Sequence, residues 1–393
     1  MKHLLSFALS ALMILSLAAC GSAPADQGAE EDSIPAPPQP TLEELQAQQI
    51  QDLLDNMTLE EQVGQLFFPR CPAEDAVEDI STYHLGGYIL FGRDYKDAEE
   101  NWLNQDQFTA VLQSYQDAAK IPLLIGTDEE GGTVARASRN TNFRAEKFQS
   151  PQELFAQGGL QAILDDAAEK DALLHSIGIN VNLAPVADVS YDPVDFIYDR
   201  SYGQDATSTA DYISQVVTQM AGDNMGSVLK HFPGYGNNVD THTGIAIDER
   251  PLSQFQAEDF LPFAAGTEAG QGKTAVMVSH NIMTTVDDQL PASLSPAVHD
   301  LLRSELNFDG VVMTDDLAMD AVAAYAEDGA SAVMALEAGN DLIITSDYRT
   351  QIPKVIAAFQ DGTLDSQILL PACRRVLEWK QSLGLLPAVS PEV

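Results

Sequence analysis

The chain has 393 residues, 59 of them acidic and 20 basic, for a formal net charge of −39. So negative a surface repels phosphate backbones and anionic lipid headgroups; this excludes nucleic acid as an expected partner and leaves solubility as the role of the charge. Three cysteines and no Cys/His cluster at the spacing of a structural zinc site predict that stability comes from an ordinary large core.

Residues 1–19 read as a leader. Lys2 and His3 give a short positive start, and the apolar run from Leu4 to Leu17 falls short of the roughly 20 residues a membrane span needs. The run ends in Leu17-Ala18-Ala19-Cys20-Gly21, which resembles the lipobox of bacterial lipoproteins. The resemblance implies cleavage before Cys20 and a diacylglycerol on its sulfur, so that the lipid alone holds the protein on the extracellular face of the cell membrane. An ordinary signal peptide with an incidental Cys20 is the other reading. Residues 20–40 are rich in Pro, Ala, Ser and acid after that cysteine, and read as a disordered tether.

Residues 41–393 are long enough for one large domain or two small ones, and one domain, as a monomer, is expected. Residues 41–57 have helical spacing, and Thr58-Leu59-Glu60-Glu61 opens a second helix with a capping-box pattern. Apolar runs rich in β-branched residues predict strands at 87–91, 122–126, 181–184, 227–230, 275–279, 310–313 and 342–345. Amphipathic stretches at 105–119, 206–223 and 292–305 predict helices between them. Such alternation argues for parallel βαβ units. It favours an α/β fold of the (β/α)8, TIM-barrel type, although a doubly wound sheet also fits the pattern. Asp128, Asp188, Lys230-His231, His280 and Asp315 fall in turn at strand ends, where the reactive groups of a barrel collect.

The stretch 301–318, LLRSELNFDGVVMTDDLA, runs from a helix tail through a glycine into a buried strand that delivers Thr314-Asp315-Asp316. It resembles the active-site signature of glycoside hydrolase family 3. The resemblance implies that Asp315 is the nucleophile, a carboxylate fixed at a strand end to attack an anomeric carbon. A capping role at the next turn suits Asp316 better.

Residues 230–242, KHFPGYGNNVDTH, open on a Lys-His-Phe-Pro-Gly element similar to that of much of the family. Asp240-Thr241-His242 matches the Asp-Ser/Thr-His element of its N-acetylglucosaminidase branch, implying His242 as general acid/base and Asp240 as its orienting partner. An Asp two residues before a His can fix the tautomer and raise the basicity of the other ring nitrogen. Alone the pair reads as polar loop residues; its place behind Lys230-His231 makes it a catalytic candidate. The chain has Gly234-Tyr235-Gly236-Asn237 where the family commonly has Gly-His-Gly-Asp, which leaves loop geometry and sugar preference open.

Asp128-Glu129-Glu130-Gly131-Gly132, followed by Arg136, is similar to a family element whose Asp and Arg bind sugar hydroxyls; an internal Asp128–Arg136 pair fits as well. Arg200, Lys230 and His231 stand at positions that imply sugar contacts, although His231 taken alone reads as a satisfied buried histidine. His280 matches a supporting position. The resemblance covers residues 44–386. Many members carry a second α/β domain, sometimes supplying the acid/base, and the end of the chain at Val393 agrees with an acid/base on the barrel itself. The implied activity is that of a retaining, exo-acting β-N-acetylglucosaminidase (a β-N-acetylhexosaminidase) acting on cell-wall fragments in peptidoglycan turnover or on chitooligosaccharides through a covalent glycosyl-Asp315, with no metal or organic cofactor. The alternatives are an N-acetylglucosaminide phosphorylase or a β-glucosidase of the same family, and a lipid-anchored sugar-binding protein without catalysis.

Overall fold

Two reciprocal caps open the folded part. Thr41 Oγ1 accepts from Glu44 N at 3.2 Å while Thr41 N donates to Glu44 Oε2 at 2.7 Å, and the helix Leu42–Asn56 follows. Thr58 and Glu61 repeat the device at 3.2 and 3.0 Å, so the predicted capping box starts the helix Leu59–Gln65. The computed structural model describes residues 39–238, 244–323, 325 and 330–390. Thr41–Val393 form one unit, separate from Met1–Pro40. The leader, Cys20 and nearly all of the tether lie outside the described residues.

The architecture is α/β. Strands β1 (Gly87–Leu90), β2 (Leu124–Thr127), β3 (Val181–Asn182), β4 (Gly226–Phe232), β6 (Thr274–Val278) and β8 (Val312–Thr314) form one six-stranded sheet in that order, every pairing parallel. Each is buried along its whole length, as parallel strands covered on both faces are. Helices make the crossovers, among them Gln105–Ala118, Pro151–Ser176, Ala206–Gly222 and Pro296–Ser304. Strand order follows sequence order without reversal, so the sheet lacks the switch point of a doubly wound fold.

Four details differ from the pattern-based expectation. The run at 342–345 makes single parallel bridges, Met313↔Leu342 and Phe67↔Ile343; Thr314 Oγ1 takes the Ile344 amide at 3.0 Å in place of a ladder bond. Residues 66–70, unforeseen because they follow directly on a helix and end in Pro69-Arg70, bridge Ile343 on one side and Ile89 on the other. The helix expected at 292–305 is a single 3₁₀ turn, Ala292–Leu294, and then a helix from Pro296, where Ser295 Oγ accepts from Val298 N at 3.4 Å. A small parallel pair, β5 (Ile247–Asp248) with β7 (Ile282–Met283), is too short to leave a periodic signal. Cys71 and Cys373 are both buried and free.

Candidate active site

A parallel sheet presents all its strand C-termini on one edge, and six of the predicted residues meet there. Asp128, Arg136, Arg200, Lys230, His231 and Asp315 line a single cavity of about 340 Å³. Lys230 and His231 are neighbours in β4 yet both reach it, because the register slips between Leu229 and Phe232; a regular strand would point them to opposite faces.

Lys230 is buried, with Nζ 2.8 Å from Asp128 Oδ1 and 2.7 Å from Glu130 Oε1. Burial works against its charge, but the two carboxylates prevail and raise its basicity. Arg200 grips Glu130 in a fork, Nε to Oε2 at 3.0 Å and Nη2 to Oε1 at 2.7 Å. Burial pushes the Glu130 carboxyl up; Arg200 and Lys230 outweigh it and hold the group well below the usual carboxylate range. Arg136 lies 3.9 Å from Asp128, so the internal Asp–Arg pair exists within the same cavity.

Both ring nitrogens of His231 are engaged. Nδ1 meets Asp188 Oδ2 at 2.8 Å, and Nε2 lies 3.2 Å from Arg200 Nη2. A guanidinium can only donate, so Nε2 accepts and the ring proton sits on Nδ1, facing the carboxylate. Asp188 also accepts from the backbone amides of His231 at 3.0 Å and Tyr235 at 2.7 Å. The sequence marks Asp188 as a strand-end residue without giving it this role.

Glu129 and Glu130 were missed. Glu129 is fully buried and accepts from the amides of Arg136, Ala137 and Ser138 at 2.9, 2.7 and 3.2 Å, and from the Ser138 hydroxyl. It thereby caps the turn Ala137–Arg139 and sets where Arg136 leaves the backbone. Gly131 makes the preceding turn to Val134 feasible: its φ is +98°, and a Cβ there would lie 2.1 Å from Gln149 O. The only sequence signal was three adjacent acids at one strand end, a group that needs cations from elsewhere.

Asp315 follows β8, its amide donating to Val278 O at 3.0 Å and its Oδ1 accepting from Asp316 N at 2.7 Å. Asp316 accepts from Ala318 N at 2.9 Å, the local turn expected of it, and burial with the Asp315 charge beside it pushes its carboxyl up. His280 supports this corner: Nε2 donates to Asp316 O at 3.1 Å and Nδ1 accepts from Ser293 Oγ at 2.7 Å. Asp240 and His242 lie outside the described residues. The chain on either side of them is anchored, since Asn238 Nδ2 donates to both Tyr235 O at 2.8 Å and Asp248 Oδ2 at 2.6 Å. Arg250 in turn bridges Asp248 and Asp259, each at 2.8 Å.

The cavity therefore offers a strand-end carboxylate beside the donors Arg200, Lys230 and Arg136, which Glu130 and Asp128 balance, an arrangement suited to the hydroxyls of a polyhydroxylated ligand. The model of the glycosyl hydrolase family 3 N terminal domain matches residues 58–379. A beta-hexosaminidase of Stenotrophomonas maltophilia (strain R551-3) is 32% identical over 293 residues, which span 73% of this chain and 83% of the relative. One of Idiomarina loihiensis is 32% identical over 311 residues, spanning 75% and 88%. Among solved structures, a glycoside hydrolase family 3 beta-N-acetylglucosaminidase from Paenibacillus sp. str. FPU-7 superposes with a TM-score of 0.76 at 28% identity, covering 86% of this chain and 65% of that one. The chain thus spans just under two thirds of the Paenibacillus protein. A beta-N-acetylhexosaminidase from Beutenbergia cavernae DSM 12333 gives a TM-score of 0.72 at 28% identity, covering 83% and 99%.

Proposed function

The chain belongs to glycosyl hydrolase family 3, and on that premise we propose that this glycoside hydrolase is an exo-acting, retaining β-N-acetylglucosaminidase. Asp315 attacks the anomeric carbon of a terminal N-acetylglucosamine while His242, oriented by Asp240, gives its ring proton to the leaving oxygen. Water that loses a proton to His242 then attacks the same carbon, and the bond to Asp315 breaks. Asp128, Arg136, Arg200 and Lys230 bind the sugar hydroxyls, and His231 holds Arg200 in place. The observation that carries this reading is the convergence of Asp315 with those five residues on one cavity.

The same reading takes the sheet as part of a (β/α)8 barrel, with residues 66–70 and 342–344 as the two further staves. Its support is the chain of parallel bridges from Met313 through Leu342, Ile343 and Phe67 to Arg70 and Ile89. It places the enzyme on the extracellular face of the cell membrane through a lipid on Cys20, where cell-wall fragments or chitooligosaccharides would reach it; the support is the sequence around Cys20. Hydrolysis of p-nitrophenyl N-acetyl-β-D-glucosaminide by residues 41–393 tests the assignment. Release by the wild type, its collapse in Asp315→Asn and a milder, leaving-group-dependent loss in His242→Ala are expected. Full activity in Asp315→Asn would sink it.

A further inference from the structure

Arg70, at the end of the segment that bridges Ile89, lines the same cavity as Asp315, and nothing in the reaction above uses it. Its guanidinium carbon stands 4.4 Å from the centre of the Phe91 ring, a contact that holds the side chain in one place before any ligand arrives. Among the described residues it forms neither an ion pair nor a side-chain hydrogen bond, and its Nε is buried without a partner. Lys230 is committed to Asp128 and Glu130 and Arg200 to Glu130, while Arg136 stands 3.9 Å from Asp128 with its Nε likewise buried without a partner. The neighbouring Asp94 is also taken, by Phe91 N at 2.7 Å and Arg93 Nε at 3.2 Å.

An arginine without an ion pair among the described residues, felt only at a distance by Asp94, is unexpected in a chain with 59 acidic and 20 basic residues. The surplus of acid makes a carboxylate partner easy to supply, and the half-buried position makes going without one costly. The overall charge also repels any anion that approaches, so an anionic group can settle in the cavity only where a local cation receives it. We infer that Arg70 is a substrate-binding residue that docks an oxyanion, a carboxylate carried by the leaving group or a free phosphate, inside the cavity that holds Asp315. Its planar fork suits both. The inference rests on the glycosidase reading and deepens it, because it makes the charge of the aglycone a determinant of specificity.

The test compares β-linked N-acetylglucosamine on an aglycone sugar bearing a lactyl carboxylate with the same disaccharide as its methyl ester. In Arg70→Gln the acid-to-ester ratio of kcat/KM should fall about ten- to hundredfold, the range expected for one charge-assisted hydrogen bond. Arg70→Lys, which keeps the charge and loses the fork, should lie between. In a second arm inorganic phosphate is titrated into wild type and variants, with turnover and thermal melting as readouts. A phosphate effect that disappears in Arg70→Gln while the acid-to-ester ratio stays constant identifies free phosphate as the ligand. If neither the ratio nor the phosphate response depends on Arg70 in a folded variant, the inference is wrong and the residue merely packs on Phe91. Should the wild type cleave neither disaccharide, the glycosidase reading fails, and phosphate-induced stabilisation still decides the role of Arg70.

Discussion

Asp188 Oδ2 holds His231 twice, through ring Nδ1 at 2.8 Å and the backbone amide at 3.0 Å. The ring can then only accept on its far side, where Arg200 donates, and Arg200 in turn forks Glu130. One buried carboxylate therefore sets the aim of a guanidinium it never touches. Asp188→Asn replaces one acceptor oxygen by an NH₂ that faces an N–H. We expect kcat/KM on the nitrophenyl glycoside to fall about ten- to hundredfold, some 1.4–2.7 kcal/mol of transition-state stabilisation. An unchanged kcat/KM would show that the setting of His231 is not transmitted to the sugar.

Glu130→Gln leaves Lys230 and Arg200 facing each other across a neutral amide. Removing one member of a buried ion cluster costs roughly 3–5 kcal/mol, and urea unfolding at neutral pH should show a loss of that order. The folded Glu130 carboxyl titrates well below its ordinary value of 4.5. Its contribution is thus complete above that value and declines as the pH falls below it. The gap between wild type and Glu130→Gln should narrow in acid; a gap that widens there contradicts the assignment.

Asp171 behaves oppositely. Burial pushes its carboxyl up to about 8, against Lys170 and helped by Asp223, and its Oδ2 has no hydrogen-bond partner. The folded state holds this proton more tightly than the unfolded chain, whose carboxyl titrates near 3.8. The stabilising share is therefore complete below that value and disappears as the pH rises through about 8. Asp171→Asn should raise Tm by at least about 2 °C at pH 9 and change it little near pH 4. Equal shifts at both pH values would refute this.

Gly234 has no room for a side chain. Its φ is +121°, and a Cβ would stand 2.2 Å from Asp259 Oδ1. Burial pushes Asp259 up to about 7 although Arg250 binds it, so it cannot be displaced without exposing a buried ion cluster. Gly234→Ala is expected to cost more than about 2 kcal/mol of stability. A melting curve within a degree of wild type would mean that Asp259 gives way freely.

The sequence made the strand ends legible because the buried runs are largely apolar and a polar residue follows the second to the sixth of them, and Asp128, Lys230, His231 and Asp315 are found there. The helix starts at Thr41 and Thr58 were equally plain, since a capping box is local. Long-range pairings were not. Residues 66–70 and 342–344 make single bridges across 276 positions, as at Phe67↔Ile343, and no periodicity betrays them. Glu130 was passed over for the same reason: its partners Arg200 and Lys230 stand 70 and 100 positions away, so its adjacency to Asp128 was visible and its cations were not.

The double bond from Asn238 has a practical side. One side chain ties the Tyr235 carbonyl, upstream of Asp240 and His242 in the sequence, to the Asp248 carboxylate downstream of them, and Arg250 secures that carboxylate to Asp259. The chain at Asn238 and the chain at Asp248 are thus soldered to a common terminal. A segment grafted here from a relative would therefore enter and leave at fixed points, provided that Asn238 and Asp248 are kept as its two ends.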